Sequence, residues 1–194
     1  MKGFLSVLGL LASLFTAQHL VAADANTEEK ALWDALRSPK HFALMRHSLA
    51  LGTGDPANFT LGHRETQRNL SKQGRQQAQR IGALFRENGI ESAQVFTSEW
   101  FRCRDTAELL GLGPVTPLPV LNSFFRNYEQ KEPRTEALKR WLSQRDMDEP
   151  LVLVTHQVNI TALTGVYPAS GEVVVVARHA ENGLSVLGSI RTDP

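Results

Sequence analysis

Apolar and polar positions along this chain fall into short blocks that switch between two periods. Residues 27–38 are amphipathic, with Asn26 or Thr27 placed to cap and Pro39 to stop, which predicts a short helix. His41 to Met45 is a brief apolar run and predicts a buried strand ending at Arg46-His47. Ser48 to Asn69 carries no periodicity and contains Gly52, Gly54, Pro56 and Gly62. A loop this long directly after a strand end favours function. Ser71 is placed to cap a helix of about five turns that buries Ala78, Ile81 and Phe85 and stops at Asn88-Gly89.

The pattern then repeats. Gln94 to Thr97 reads as a strand, and Ser98 as the cap of a helix running to Leu110 and closed by Gly111. Pro114 to Leu121 is extended and broken by prolines, which suits a sheet edge. Arg134 to Arg145 places Leu138, Trp141 and Leu142 on one helical face. Leu151 to Val154 is continuously apolar, as in a strand buried on both faces, and ends at Thr155-His156, where a helix to Gly165 begins. Glu172 to Ala177 and Leu184 to Ile190 read as a closing hairpin around Glu181-Asn182-Gly183. Alternating strands and helices predict an α/β fold, a layered, mostly parallel sheet flanked by helices on both faces. Polar clusters at 46–47, 98–104 and 155–156 each follow a strand end, the edge at which open α/β sheets bind ligands.

The N-terminus belongs to another class of segment. Lys2, an apolar run from Phe4 to Phe15 and the small residues Val21-Ala22-Ala23-Asp24-Ala25 are ordered as in a secretory signal, cleaved after Ala23 or Ala25. A membrane anchor is the rival reading. An apolar run of about a dozen residues falls short of the roughly 20 that span hydrocarbon. The expectation is a signal peptide over 1–23, a single domain over 24–194, no stable membrane span after cleavage, and a periplasmic or secreted protein. The net charge of +1 gives no global field to recruit nucleic acid. Cys103 is the single cysteine, which excludes an intramolecular disulfide and a cysteine-ligated metal site. His41, His63 and His179 do not stand at metal-ligand spacing, and His19 lies in the signal segment. Gly52-Thr53-Gly54-Asp55-Pro56 lacks the lysine-serine ending of a phosphate-binding loop. Trp33, Trp100 and Trp141 sit in amphipathic helices and read as core.

The strand-end clusters suit one chemistry in particular. A histidine that attacks a phosphoryl group must be unprotonated, and cations must first neutralise the phosphoryl oxygens. Arginine does this with a planar fork that keeps its proton, and nearby positive charge also disfavours the protonated imidazole. A second imidazole can donate to the transferring group.

Phe42-Ala43-Leu44-Met45-Arg46-His47 resembles the signature of the histidine phosphatase superfamily, which includes the cofactor-dependent phosphoglycerate mutases. Three further segments resemble its motifs in order: Leu70 to Ala78, Ser98 to Ala107, and Leu153-Val154-Thr155-His156. The resemblance spans about residues 42–165 and implies a phosphoglycerate mutase-like fold. It further implies His47 as the phosphorylated residue, Arg46 and Arg102 as the phosphate clamp, and His156 completing the pocket, with no metal or cofactor. Arg104 falls at a variable place of the motif. Three departures stand out. Ser48 replaces a commoner glycine or alanine. Leu121-Asn122-Ser123 lacks the glutamate of the mutases, and Gln157 replaces the aspartate that follows the second histidine in the acid phosphatases. Asp55 and Glu129 remain as candidate proton donors. The expected activity is hydrolysis of a phosphorylated small molecule or phosphoprotein; the alternative is a non-catalytic anion-binding module on the same fold.

Overall fold

A computed structural model describes residues 27–179 and 183–193. The expected signal segment and the Glu181-Asn182 part of the expected turn lie outside the described residues. A first helix, α1, covers 27–36. The remaining elements are β1 (His41–Arg46), α2 (Lys72–Glu87), β2 (Gln94–Thr97), α3 (Phe101–Leu110), β3 (Val115–Pro117), α4 (Lys131–Ser143), β4 (Leu151–Thr155), α5 (Gln157–Thr164), β5 (Val173–Arg178) and β6 (Leu184–Ile190).

The six strands form one sheet in the order β3-β2-β4-β1-β5-β6. β3, β2, β4 and β1 run parallel; β5 is antiparallel to both β1 and β6. The layered, mostly parallel α/β sheet expected from the pattern is therefore present, with β3 on an edge and β5–β6 as the antiparallel pair. Alternate side chains of one strand enter different cores. Ala43 and Met45 join α1, α2 and α3 through Trp33, Ile81, Phe85, Ala107 and Leu110. Phe42 and Leu44 meet α4 and α5 through Leu138, Leu142 and Ile160 on the other face. None of the described helices is long and apolar enough to cross a membrane.

Two local features position the strand ends. The Ser71 hydroxyl accepts from the Gly74 N–H at 3.0 Å, the cap expected for α2. At Gly74 a Cβ would stand 2.0 Å from the Leu49 carbonyl oxygen, so only glycine lets α2 approach the chain leaving β1 this closely. The start of α3 corrects the sequence expectation. Its N-cap is Trp100, with no side-chain cap, rather than Ser98. The Ser98 hydroxyl is engaged by Asn122 and His156 and accepts only a long bond from the Trp100 N–H, at 3.4 Å, ahead of the helix.

Candidate active site

β2, β4 and β1 are neighbours, so their carboxyl ends bring Thr97-Ser98, Thr155-His156 and Arg46-His47 together. Backbone bonds fix the junction: His47 N–H donates to the Thr155 carbonyl at 3.0 Å and Ser98 N–H to the Val154 carbonyl at 3.0 Å. A cavity of about 370 Å³ opens over these ends. Arg46, His47, Asp55, Arg68, Trp100, Arg102 and His156 line it, with Ser123, Arg126 and Tyr167 among the outer residues.

His47, Arg102 and His156 are only 2%, 3% and 4% exposed. Polar groups hidden to that degree must satisfy one another or pay a desolvation penalty. The Nδ1 of His47 lies 2.8 Å from the Ser48 carbonyl oxygen. A carbonyl only accepts, so Nδ1 carries the proton and Nε2 presents its lone pair. Arg102 Nε donates to that Nε2 at 3.2 Å. Burial, followed by the charge of Arg102, holds the His47 imidazole well below its ordinary range, with Arg46 and Arg68 adding to the effect. His47 is thus a neutral imidazole with its free nitrogen turned to a guanidinium.

His156 is set by a different chain of partners. Glu99 N–H donates to Asn122 Oδ1 at 2.9 Å, and Asn122 Nδ2 donates to Glu99 Oε2 at 2.7 Å, which fixes the amide orientation. Ser98 Oγ donates to Asn122 Oδ1 at 3.2 Å, leaving its lone pair to accept from His156 Nε2 at 2.8 Å. His156 Nδ1 then accepts from Arg102 Nη2 at 3.4 Å. Burial and the charge of Arg102 also keep this imidazole well below its ordinary range. The two rings are 5.6 Å apart between centroids. Cys103 lies 3.5 Å from His156 Nε2, but burial pushes its thiol up to about 12, so it is no thiolate nucleophile at neutral pH.

Arg46 donates Nη1 to the Pro168 carbonyl at 2.9 Å, and its Nε has no hydrogen-bond partner among the described residues. Asp55 also lines the cavity. Its carboxylate binds Arg102 through Oδ1–Nη1 at 2.7 Å and Oδ2–Nη2 at 3.2 Å. Burial alone would raise its pKa; the Arg102 fork, the Arg68 N–H and the Trp100 indole outweigh it and hold the carboxyl below its usual range.

The structure thus gathers Arg46, His47, Asp55, Arg102 and His156 around one cavity. Glu129 is exposed and does not line it, so the other carboxylate considered as a proton donor is separate from this constellation. Ser48 is fully buried and points no atom into the cavity lining. Trp100, expected as core, packs against one core and also lines the cavity; Trp33 is core as expected. Sequence reasoning missed Ser98, Glu99 and Asn122 as supports of His156. The signal available is Ser98, which opens the second arginine motif and which local pattern alone assigns to a helix cap. Arg68, in the loop after β1, also lines the cavity. It donates to the Gly54 carbonyl at 2.7 Å and to the Ala50 carbonyl, bracing the loop that carries Asp55.

Residues 42–124 match the family model of the histidine phosphatase superfamily, branch 1. No curated protein matches the chain. Among solved structures, a mycobacterial glucosyl-3-phosphoglycerate phosphatase complexed with VO3 is similar over 79% of this chain and 97% of its own, at 14% identity and a TM-score of 0.55. The protein histidine phosphatase SixA complexed with tungstate is similar over 77% and 96%, at 14% identity and a TM-score of 0.56. A candidate α-ribazole-5′-phosphate phosphatase from Escherichia coli is similar over 77% and 95%, at 18% identity and a TM-score of 0.56. At these identities the likeness shows a shared fold.

Proposed function

We propose that this chain belongs to the histidine phosphatase superfamily, whose family model its residues 42–124 match, and that it hydrolyses phosphate monoesters through a phosphohistidine on His47. The observation that carries the reading is the lone pair of His47 Nε2, aimed at Arg102 beside His156 and Arg46 in a single cavity. An imidazole held neutral in this way is a nucleophile at neutral pH, and the surrounding guanidiniums stabilise the charge of the phosphoryl oxygens in the transition state.

In the first step the Nε2 lone pair forms a bond to phosphorus, and the P–O bond to the leaving group breaks with its electron pair on oxygen. In the second, water attacks phosphorus and gives up a proton to solvent, and the P–N bond returns its pair to Nε2. Nδ1–H of His47 stays on the Ser48 carbonyl throughout, which supports the imidazolium-like charge of the phosphorylated ring. Arg46 and Arg102 hold the phosphoryl oxygens. His156 stays neutral, with its Nε2–H engaged by Ser98 and its Nδ1 accepting from Arg102, and so steadies the Arg102 fork beside the phosphoryl group.

The oxyanions named with two of the similar structures support an oxyanion occupant here. The N-terminal pattern of Lys2, the apolar run and Val21-Ala22-Ala23 supports export to the periplasm or beyond. The substrate class this reading implies is a phosphorylated small molecule or phosphoprotein.

The test is His47→Ala assayed on p-nitrophenyl phosphate, with quenching of the wild type in alkaline denaturant after labelled substrate. The expected result is loss of turnover by roughly 10³-fold or more with the fold retained, and label on His47. Undiminished turnover in the variant overturns the reading. Phosphate binding without turnover or label in the wild type supports the anion-binding module instead.

A further inference from the structure

The guanidinium of Arg102 has five N–H donors, and every one is directed. Along one edge, Nε reaches His47 Nε2 at 3.2 Å and Nη2 reaches His156 Nδ1 at 3.4 Å. Along the end, Nη1 and Nη2 form the two bonds to Asp55. The remaining Nη1 donor meets the Arg68 carbonyl at 3.4 Å. The edge that carries Nε therefore faces the space between the two imidazoles, while the end is occupied by a carboxylate. Phosphoryl oxygens bound to His47 would meet the first edge and leave the second untouched.

Resting on the phosphohistidine reading, we propose that Asp55 is a positioning residue, which sets the Arg102 fork against the phosphoryl group by holding it from behind. Asp55 is itself immobilised. Its Oδ1 accepts from the Arg68 N–H at 3.2 Å and its Oδ2 from the Trp100 indole N–H at 3.0 Å, besides the two Arg102 bonds. Positive φ at Gly52 and Gly54, 85° and 70°, turns the loop back so that Asp55 reaches the strand ends. Arg126 Nη2 ties the Asp55 and Pro56 carbonyls from the opposite side, the latter at 2.6 Å. Phe59 stacks on Trp100 with ring centroids 5.0 Å apart. A carboxylate with four donors is stabilised in its ionised form, which suits an anchor for a cation and opposes service as an acid. The anchor also resolves a local conflict: Arg102 sits in the first turn of α3, where the helix dipole disfavours a cation.

Such a residue acts through Arg102 and not on the leaving group, and this separates it from a proton donor. The experiment is a double-mutant cycle of Asp55→Asn and Arg102→Ala in the full chain. It reads kcat and KM on p-nitrophenyl phosphate and on an alkyl phosphate, with inhibition by inorganic phosphate as the binding readout. Misaiming the fork should lower kcat/KM roughly 10- to 100-fold in Asp55→Asn, equally for the two substrates, and weaken phosphate inhibition. In the Arg102→Ala background the same substitution should cost less than about twofold, because the group it positions is gone. An undiminished cost in that background, or a loss confined to the alkyl ester as a proton donor would give, overturns the proposal. Wild-type turnover that survives His47→Ala defeats the underlying reading instead, so the two failures are told apart.

Discussion

The floor of the cavity at the strand ends and its rim differ in how tightly their polar atoms are held. On the floor, His47, Arg102 and His156 are almost wholly hidden, and each nitrogen has an identifiable partner. At the rim, Phe125 and Tyr167 are 56% and 74% exposed, and Arg126 lies in solvent with its guanidinium on backbone carbonyls. Buried charge in low dielectric acts strongly and requires close positioning, whereas exposed charge is screened by water and salt. On the proposed reading, the floor would carry the phosphoryl chemistry and the rim would meet the rest of the substrate.

That contrast is broken or sharpened by substitution on each side. Arg102→Ala should lower kcat/KM for an aryl phosphate by roughly 10²- to 10³-fold, since it removes donors from the reacting group itself. A loss of only a few fold would place Arg102 outside the chemistry. The buried histidines make the next prediction. Both are held neutral below an unfolded value of about 6.5, so below that pH the unfolded chain binds protons that the folded chain refuses. Stability should therefore be unaffected by the pair above about pH 7 and fall as pH drops, by about 1.4 kcal/mol per pH unit for each histidine until it protonates in the folded state. Urea unfolding of wild type and His47→Ala between pH 7.5 and 5 checks this; equal slopes for the two would mean that His47 does not refuse the proton. Smallest of all, Phe125→Ala should change KM for p-nitrophenyl phosphate by no more than a few fold with kcat intact, as expected of an exposed rim side chain. A large fall in kcat there would erase the distinction between floor and rim.

Much of the floor was legible in the sequence. Continuous apolar runs at 41–45 and 151–154 predict two buried strands, and the structure pairs them with Arg46 opposite Thr155, one residue before each histidine. Strand ends are local features, and the residues that follow them inherit a defined direction. The supports of His156 were not legible, because Ser98, Glu99 and Asn122 meet across 23 or more residues and a serine before a helix has a simpler local explanation. Asp55 was visible as a carboxylate in a functional loop, but its relation to Arg102 spans 47 residues and depends on how the loop folds back.

The sequence by itself determined the α/β order and the apolar strands that end in arginine and histidine. These follow from periodicity and local sterics, which act over a few residues. Tertiary structure alone decided which nitrogen of each imidazole carries its proton, which edge of Arg102 faces the cavity, and that Asp55 rather than Glu129 stands beside it. Those outcomes depend on hydrogen-bond partners brought together from distant segments, and directionality at that range exists only once the chain has folded.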